Sequence, residues 1–195
     1  DSDDDGVSDF NEELIGTEPD DAASQPGTVV IDVMALYTPA VDETYNGEPA
    51  ARILHELEWA NQAFQNSNIN ARFRLVKTKS VNHEGLELQT ALNAVQDQSG
   101  VFEGIDAVRQ DAGADLLVLY LEDDPDDDDC GLGTLSGEGG DGDIAALIGR
   151  SQIVTTVAAG CRTRTFTHEF GHNLGLGHDA RNDNNVGTFN WSRGH

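Results

Sequence analysis

His168-Glu169-Phe170-Gly171-His172-Asn173-Leu174-Gly175-Leu176-Gly177-His178 reads H-E-x-x-H-x-x-G-x-x-H in one unbroken stretch. On a helix, residues i and i+4 share a face, so His168 and His172 point the same way. Two imidazoles at that spacing suit one tetrahedral Zn²⁺. Gly175 can adopt the backbone conformation that ends a helix and turns the chain. His178 then supplies a third ligand from outside the helix. Glu169 falls beside the open fourth position, placed to act as general base toward a zinc-activated water. The expected reaction is peptide-bond hydrolysis with no covalent intermediate, the same carboxyl handing the proton on to the leaving amine.

This stretch resembles the signature of the metzincin clan of zinc endopeptidases. With Asp179 after the third His, it is similar to the reprolysin or ADAM-like branch and to bacterial relatives of the peptidyl-Asp metallopeptidase type. The resemblance extends over roughly residues 28 to 195. It implies an α/β (α+β) catalytic domain: a mixed twisted sheet with crossover helices and an active-site helix. It further implies a secreted enzyme acting on protein or peptide substrates; a monomer is expected, with nothing in the residues that fixes the oligomeric state. Metzincins also carry a methionine in a turn beneath the zinc, downstream of the third His. The single Met here is Met34, and none follows His178. The chain opens on Asp1 without an initiator Met, so we expect a piece of a longer gene product that stops before the Met-turn.

Composition narrows the partners. The formal charge is −25, from 36 acidic against 11 basic residues, and the lysines are Lys77 and Lys79. Binding to nucleic-acid phosphates is excluded on these grounds, and so is attraction to anionic membranes. No run is long and apolar enough to insert in a bilayer. An acidic, lysine-poor surface resembles proteins of marine or halophilic microbes.

The amino-terminal stretch Asp1-Ser2-Asp3-Asp4-Asp5-Gly6-Val7-Ser8-Asp9-Phe10-Asn11-Glu12 fits D-x-D-x-D-G-x₅-E without mismatch. Ca²⁺ takes six to eight hard oxygens. Asp1, Asp3, Asp5, Asp9 and Glu12 offer carboxylates, and Val7 offers its carbonyl. With no helix before it, the loop looks like a thrombospondin type 3 calcium repeat. An acidic tail without bound calcium is the competing reading. We therefore divide the chain into a partial calcium repeat (1–17), a linker (18–27) and the catalytic domain (28–195).

Within that domain, hydrophobic patterning predicts strands at 28–37, 69–81, 115–121 and 152–158. Helical spacing marks 48–66, with its charges opposite the apolar face. One or two further helical segments span 86–111, broken near Ser99-Gly100, and the zinc helix starts at about Thr165. The resemblance makes Gly131, Leu132, Gly133, Thr134 and Leu135 the edge strand along which a substrate adds by backbone hydrogen bonds. In an exported protease, Cys130 and Cys161 suggest one disulfide; two reduced thiols are the alternative. The run 122–129 reads as a solvated acidic loop or a second calcium site.

Arg162 and Arg164 stand out just before the zinc helix. They attract an acidic substrate side chain or pair with nearby acids. Trp59 and Trp191 read as packing residues, and His55, His83 and His195 are given no role. Two other functions compete with the endopeptidase. One is a calcium-dependent adhesion module with an inactive protease fold. The other is a zinc hydrolase of non-peptide amides.

Overall fold

The computed structural model describes Ser2, Asp20 and residues 27–124, 129–135, 142, 153–181 and 186–193. The expected calcium ligands Asp1, Asp3, Asp5, Val7, Asp9 and Glu12 lie outside the described residues, as do 125–128 of the acidic loop and His195.

Five strands form one sheet in the order β2-β1-β3-β5-β4. These are β1 (Val29–Tyr37), β2 (Ala71–Ser80), β3 (Leu116–Leu121), β4 (Gly131–Gly133) and β5 (Val154–Ala158). Strands β1, β2, β3 and β5 are mutually parallel where they pair, and β4 runs antiparallel along β5. Parallel neighbours need crossovers, which the helices supply. They are α1 (Pro39–Thr44), α2 (Pro49–Asn66), α3 (Leu88–Gln96), α4 (Ile105–Asp111) and α5 (Arg164–Asn173). The mixed α/β architecture expected from the sequence is therefore the one observed.

Helices cover both faces of the sheet, so β3 (Leu-Leu-Val-Leu-Tyr-Leu) is buried throughout. Leu117, Leu119 and Leu121 join Met34 and Leu36 under α3 and α4. Leu116, Val118 and Tyr120 face the other way, toward α2 and α5. A continuous apolar run is what a strand buried on two sides requires.

The segment 86–111 divides into α3 and α4, with a 3₁₀ turn at Gly100–Phe102 between them. Gln98, Gly100 and Gly104 have φ of 51°, 59° and 74°, which no continuous helix accommodates. Helix α1 was not expected. Its signal is Thr38-Pro39: the Thr38 hydroxyl accepts from the Val41 amide at 3.4 Å and Pro39 opens the first turn. Six residues are too few to display a helical period.

The expected edge strand 131–135 is shorter, ending at Gly133. The cause is Asn173. Its Nδ2 donates to the Thr134 and Val154 carbonyls, each at 3.3 Å, and so comes between the two chains where the ladder would continue. The Thr134 hydroxyl accepts from Gln96 Nε2 at 2.9 Å. The two tryptophans lie outside the core: Trp59 is 50% exposed and Trp191 71%, the latter packing by stacking on Phe189.

Candidate metal centre and cleft

Helix α5 presents different chemistry on each side because successive residues turn by about 100°. Phe166 and Phe170 point into the core, where Phe170 meets Phe73 with ring centroids 5.4 Å apart. Each such fully buried ring contributes roughly 2–3 kcal/mol. His168 and His172, two residues on from each Phe, face the opposite way. Glu169 and Asn173 form a third row toward β4 and β5. Core burial on one side thus fixes the direction of the imidazoles on the other.

The chain then turns at Gly175, whose φ is +84°. The Leu176 amide donates to the Gly171 carbonyl at 2.8 Å, closing the helix. Segment 186–193 braces this turn. The Thr188 amide donates to the Gly175 carbonyl and the Gly177 amide to the Ser192 carbonyl, at 2.9 and 2.7 Å. A Cβ at Gly187 would overlap the Gly175 carbonyl, so a side chain there would push the brace away.

The turn brings His178 back over α5. The Nε2 atoms of His168, His172 and His178 stand 3.1 Å from one another. Two tetrahedral ligands on bonds of about 2.05 Å are separated by roughly 3.3 Å, so the trio fits one zinc-sized ion. The donor set fits as well. His172 Nδ1 lies 2.8 Å from the Leu176 carbonyl and donates to it, which leaves the Nε2 lone pair aimed at its fellows. Burial, then the neighbouring His172 and His178, pushes the His168 pKa down and favours the neutral, ligating form. Three converging lone pairs repel unless a cation sits among them.

The trio opens onto a cleft of about 700 Å³, lined by Gly131, Leu132, Gly133, Leu135, Arg164 and Glu169 among others. Glu169 is 7% exposed. Burial raises its pKa to about 7, against the opposing hydrogen bond from the Gly133 amide and with some help from Asp129. The close approach of β4 requires glycine at two positions. A Cβ on Gly131 would stand 2.8 Å from the Glu169 and Thr165 side chains, and one on Gly133 would overlap the Glu169 carbonyl. Leu135 lines the cleft, whereas Thr134 is spent on Gln96 and Asn173.

Cys130 and Cys161 form a disulfide that joins the start of β4 to the approach of α5. Arg162 and Arg164 are exposed on the cleft wall and make no ion pair with a described carboxylate.

Sequence reasoning missed two contributors. Asn173 bonds β5 through the Thr155 hydroxyl at 3.0 Å as well as through Val154, and its position four residues after Glu169 was the available signal. Glu56 is buried on the apolar face of α2, accepting from the Tyr120 hydroxyl at 2.8 Å and Arg52 Nε at 3.0 Å. Arg52 also donates to the Thr163 hydroxyl at 3.2 Å, so this network reaches the residue before α5.

A helix carrying two histidines, a glycine turn returning a third and a short antiparallel edge strand together define a metallopeptidase-type domain. The family model Reprolysin_5, metallo-peptidase family M12, matches residues 27–192, and the chain belongs to that family. It is 31% identical over 190 residues to the peptidyl-Asp metalloendopeptidase of Pseudomonas aeruginosa, a match covering 89% of this chain and 31% of that protein. The chain thus spans under a third of the length of this relative. Among solved structures, metalloproteinase-II from Bacteroides fragilis is similar at a TM-score of 0.53 and 15% identity, covering 78% of this chain and 44% of that one. A second, titled a chaperone–substrate complex, is similar at 0.65 and 22%, covering 80% and 25%. Both likenesses concern the fold.

Proposed function

We propose that this chain is the catalytic domain of a secreted zinc metalloendopeptidase. The observation that carries the reading is the set of three Nε2 atoms 3.1 Å apart on the floor of a cleft shared with Glu169. His168, His172 and His178 would hold Zn²⁺, which supplies a Lewis acid for the scissile carbonyl and lowers the pKa of the attacking water. Glu169 takes the proton of that water and delivers it to the leaving amine. Its place on the cleft floor beside the three histidines puts it within reach of such a proton. Among the described residues no strand pairs with the outer side of β4, which lines the cleft and receives the substrate backbone as an added strand. By its name the Pseudomonas relative is a peptidyl-Asp enzyme. We carry a preference for aspartate to this chain as part of the same proposal. In the amino-terminal loop, Asp1, Asp3, Asp5, Val7, Asp9 and Glu12 would bind Ca²⁺ on the strength of their spacing.

The test is cleavage of a labelled protein by the zinc-loaded chain, beside Glu169→Gln. Removing a positioned general base costs roughly 10²–10⁴-fold in kcat. We expect at least a hundredfold loss in the variant, with zinc stoichiometry unchanged. Full binding of zinc with no cleavage by the parent would move the reading to a binding module.

A further inference from the structure

We propose that Arg164, seconded by Arg162, selects the substrate: together they bind a carboxylate side chain on the residue flanking the scissile bond. This rests on the endopeptidase reading and names the groups that give it specificity.

Arg164 is the first residue of α5, four before His168, so the two side chains leave the same face one helical turn apart. A turn is about 5.4 Å, which is also about the distance from a scissile carbonyl to the end of a neighbouring aspartate side chain. Arg162 and Arg164 line the same cleft as Glu169 and the histidines. Neither guanidinium has a hydrogen bond or ion pair to another described residue; the Arg162 carbonyl accepts from the Thr165 amide at 2.9 Å. Three other arginines sit on carboxylates, Arg52 on Glu56, Arg74 on Asp32 and Arg109 on Asp106. What sets Arg162 and Arg164 apart is their place, on the wall of the cleft that holds the histidines and Glu169.

Their setting is also costly. A cation in the first turn of a helix is opposed by the macrodipole, so Arg164 gains nothing for the fold where it stands. The helix terminus and the two arginines add up to a positive wall, opposite Asp129 and Glu169 on the rest of the lining. An anionic side chain satisfies that wall, and the fork of a guanidinium fits a carboxylate through two bonds. The wall is held in place on both sides. The Cys130–Cys161 disulfide precedes Arg162, and Thr163 receives Arg52.

The experiment compares kcat/KM on matched peptides with Asp, Asn or Lys beside the cleaved bond. It uses the zinc-loaded protein, Arg164→Gln, Arg164→Glu and, as a distant control, Arg72→Gln. We expect the parent to favour Asp over Asn by roughly tenfold, as a charge-assisted, two-bond contact to a carboxylate does. Raising the salt should shrink that ratio. Arg164→Gln should bring it toward one, and Arg164→Glu should move the preference to Lys. Arg72→Gln should keep the parental ratio. If Arg164→Gln lowers all three peptides by one common factor, Arg164 is merely structural and the proposal fails. If the parent cuts Asp and Asn peptides equally, the proposal fails while the peptidase reading stands. If the parent cuts no peptide, the peptidase reading itself has failed.

Discussion

Glu56 is the side chain whose surroundings least resemble its chemistry. It sits at 3% exposure among Ile53, Leu57 and Ala60, on the face of α2 that packs against the sheet. Burial pushes its pKa above the usual glutamate value of 4.5, while the Tyr120 hydroxyl and Arg52 pull the other way. The folded protein therefore keeps this proton to higher pH than the unfolded chain does. Stability from this group is full below the unfolded value and is lost as pH rises through the raised one. In Glu56→Gln the amide oxygen can accept from Tyr120 or from Arg52, and the amide nitrogen then faces the other donor. One buried donor left unmet costs roughly 1–3 kcal/mol. Urea unfolding of both proteins across the acid range should show that deficit greatest at low pH and shrinking toward neutrality. A gap that widened with pH would mean the carboxylate is stabilised by its partners, not penalised by burial. Nothing in the residue pattern warns of this, since helical spacing assigns a charged residue among apolar ones to the periphery. A hydroxyl 64 residues away on β3 is what makes the position tolerable.

At the level of elements, what the sequence conveys depends on how local the cause is. Strand β3 was legible because two-sided burial writes itself as six apolar residues in a row. The turn at Gly175 was legible because one residue type suits it. The end of β4 was not, because it is set by Asn173 from another element, and the nearness of β4 to α5 appears only once Gly131 and Gly133 are seen against Glu169. Pairing of the cysteines is long-range too, but it was legible because the chain holds only two, Cys130 and Cys161. The disulfide spans a sequence separation of 31 and fastens β4 to the approach of α5. Closing a loop of that length restrains the unfolded chain by roughly 3–4 kcal/mol. At about 2–4 °C per kcal/mol for a domain of this size, reduction should lower Tm by roughly 6–15 °C. A calorimetric scan with and without reductant reads this directly. An unchanged Tm would mean that the fixed approach to α5 owes nothing to the covalent link.

Across the whole molecule, a formal charge of −25 sets the balance between cohesion and self-repulsion. The described ion pairs neutralise few of the acids: Arg52, Arg74 and Arg109 hold three. The remaining carboxylates act on one another over distances that salt controls. Raising salt from about 0.1 to about 1 M shortens the screening length from about 10 to about 3 Å. Repulsion across the surface then falls, while the core around β3 is untouched. We expect Tm to climb by several degrees over that range. Calcium separates a specific site from general screening. At about 1 M salt the diffuse attraction for divalent cations is largely gone, so a further rise in Tm with millimolar Ca²⁺ but not with Mg²⁺ points to built ligands such as the amino-terminal D-x-D-x-D-G loop. Equal responses to the two ions would remove the case for that loop. A Tm that is flat or falling with salt would mean that the acidic surface carries no net repulsive load, and the likeness to salt-adapted proteins would lose its physical basis.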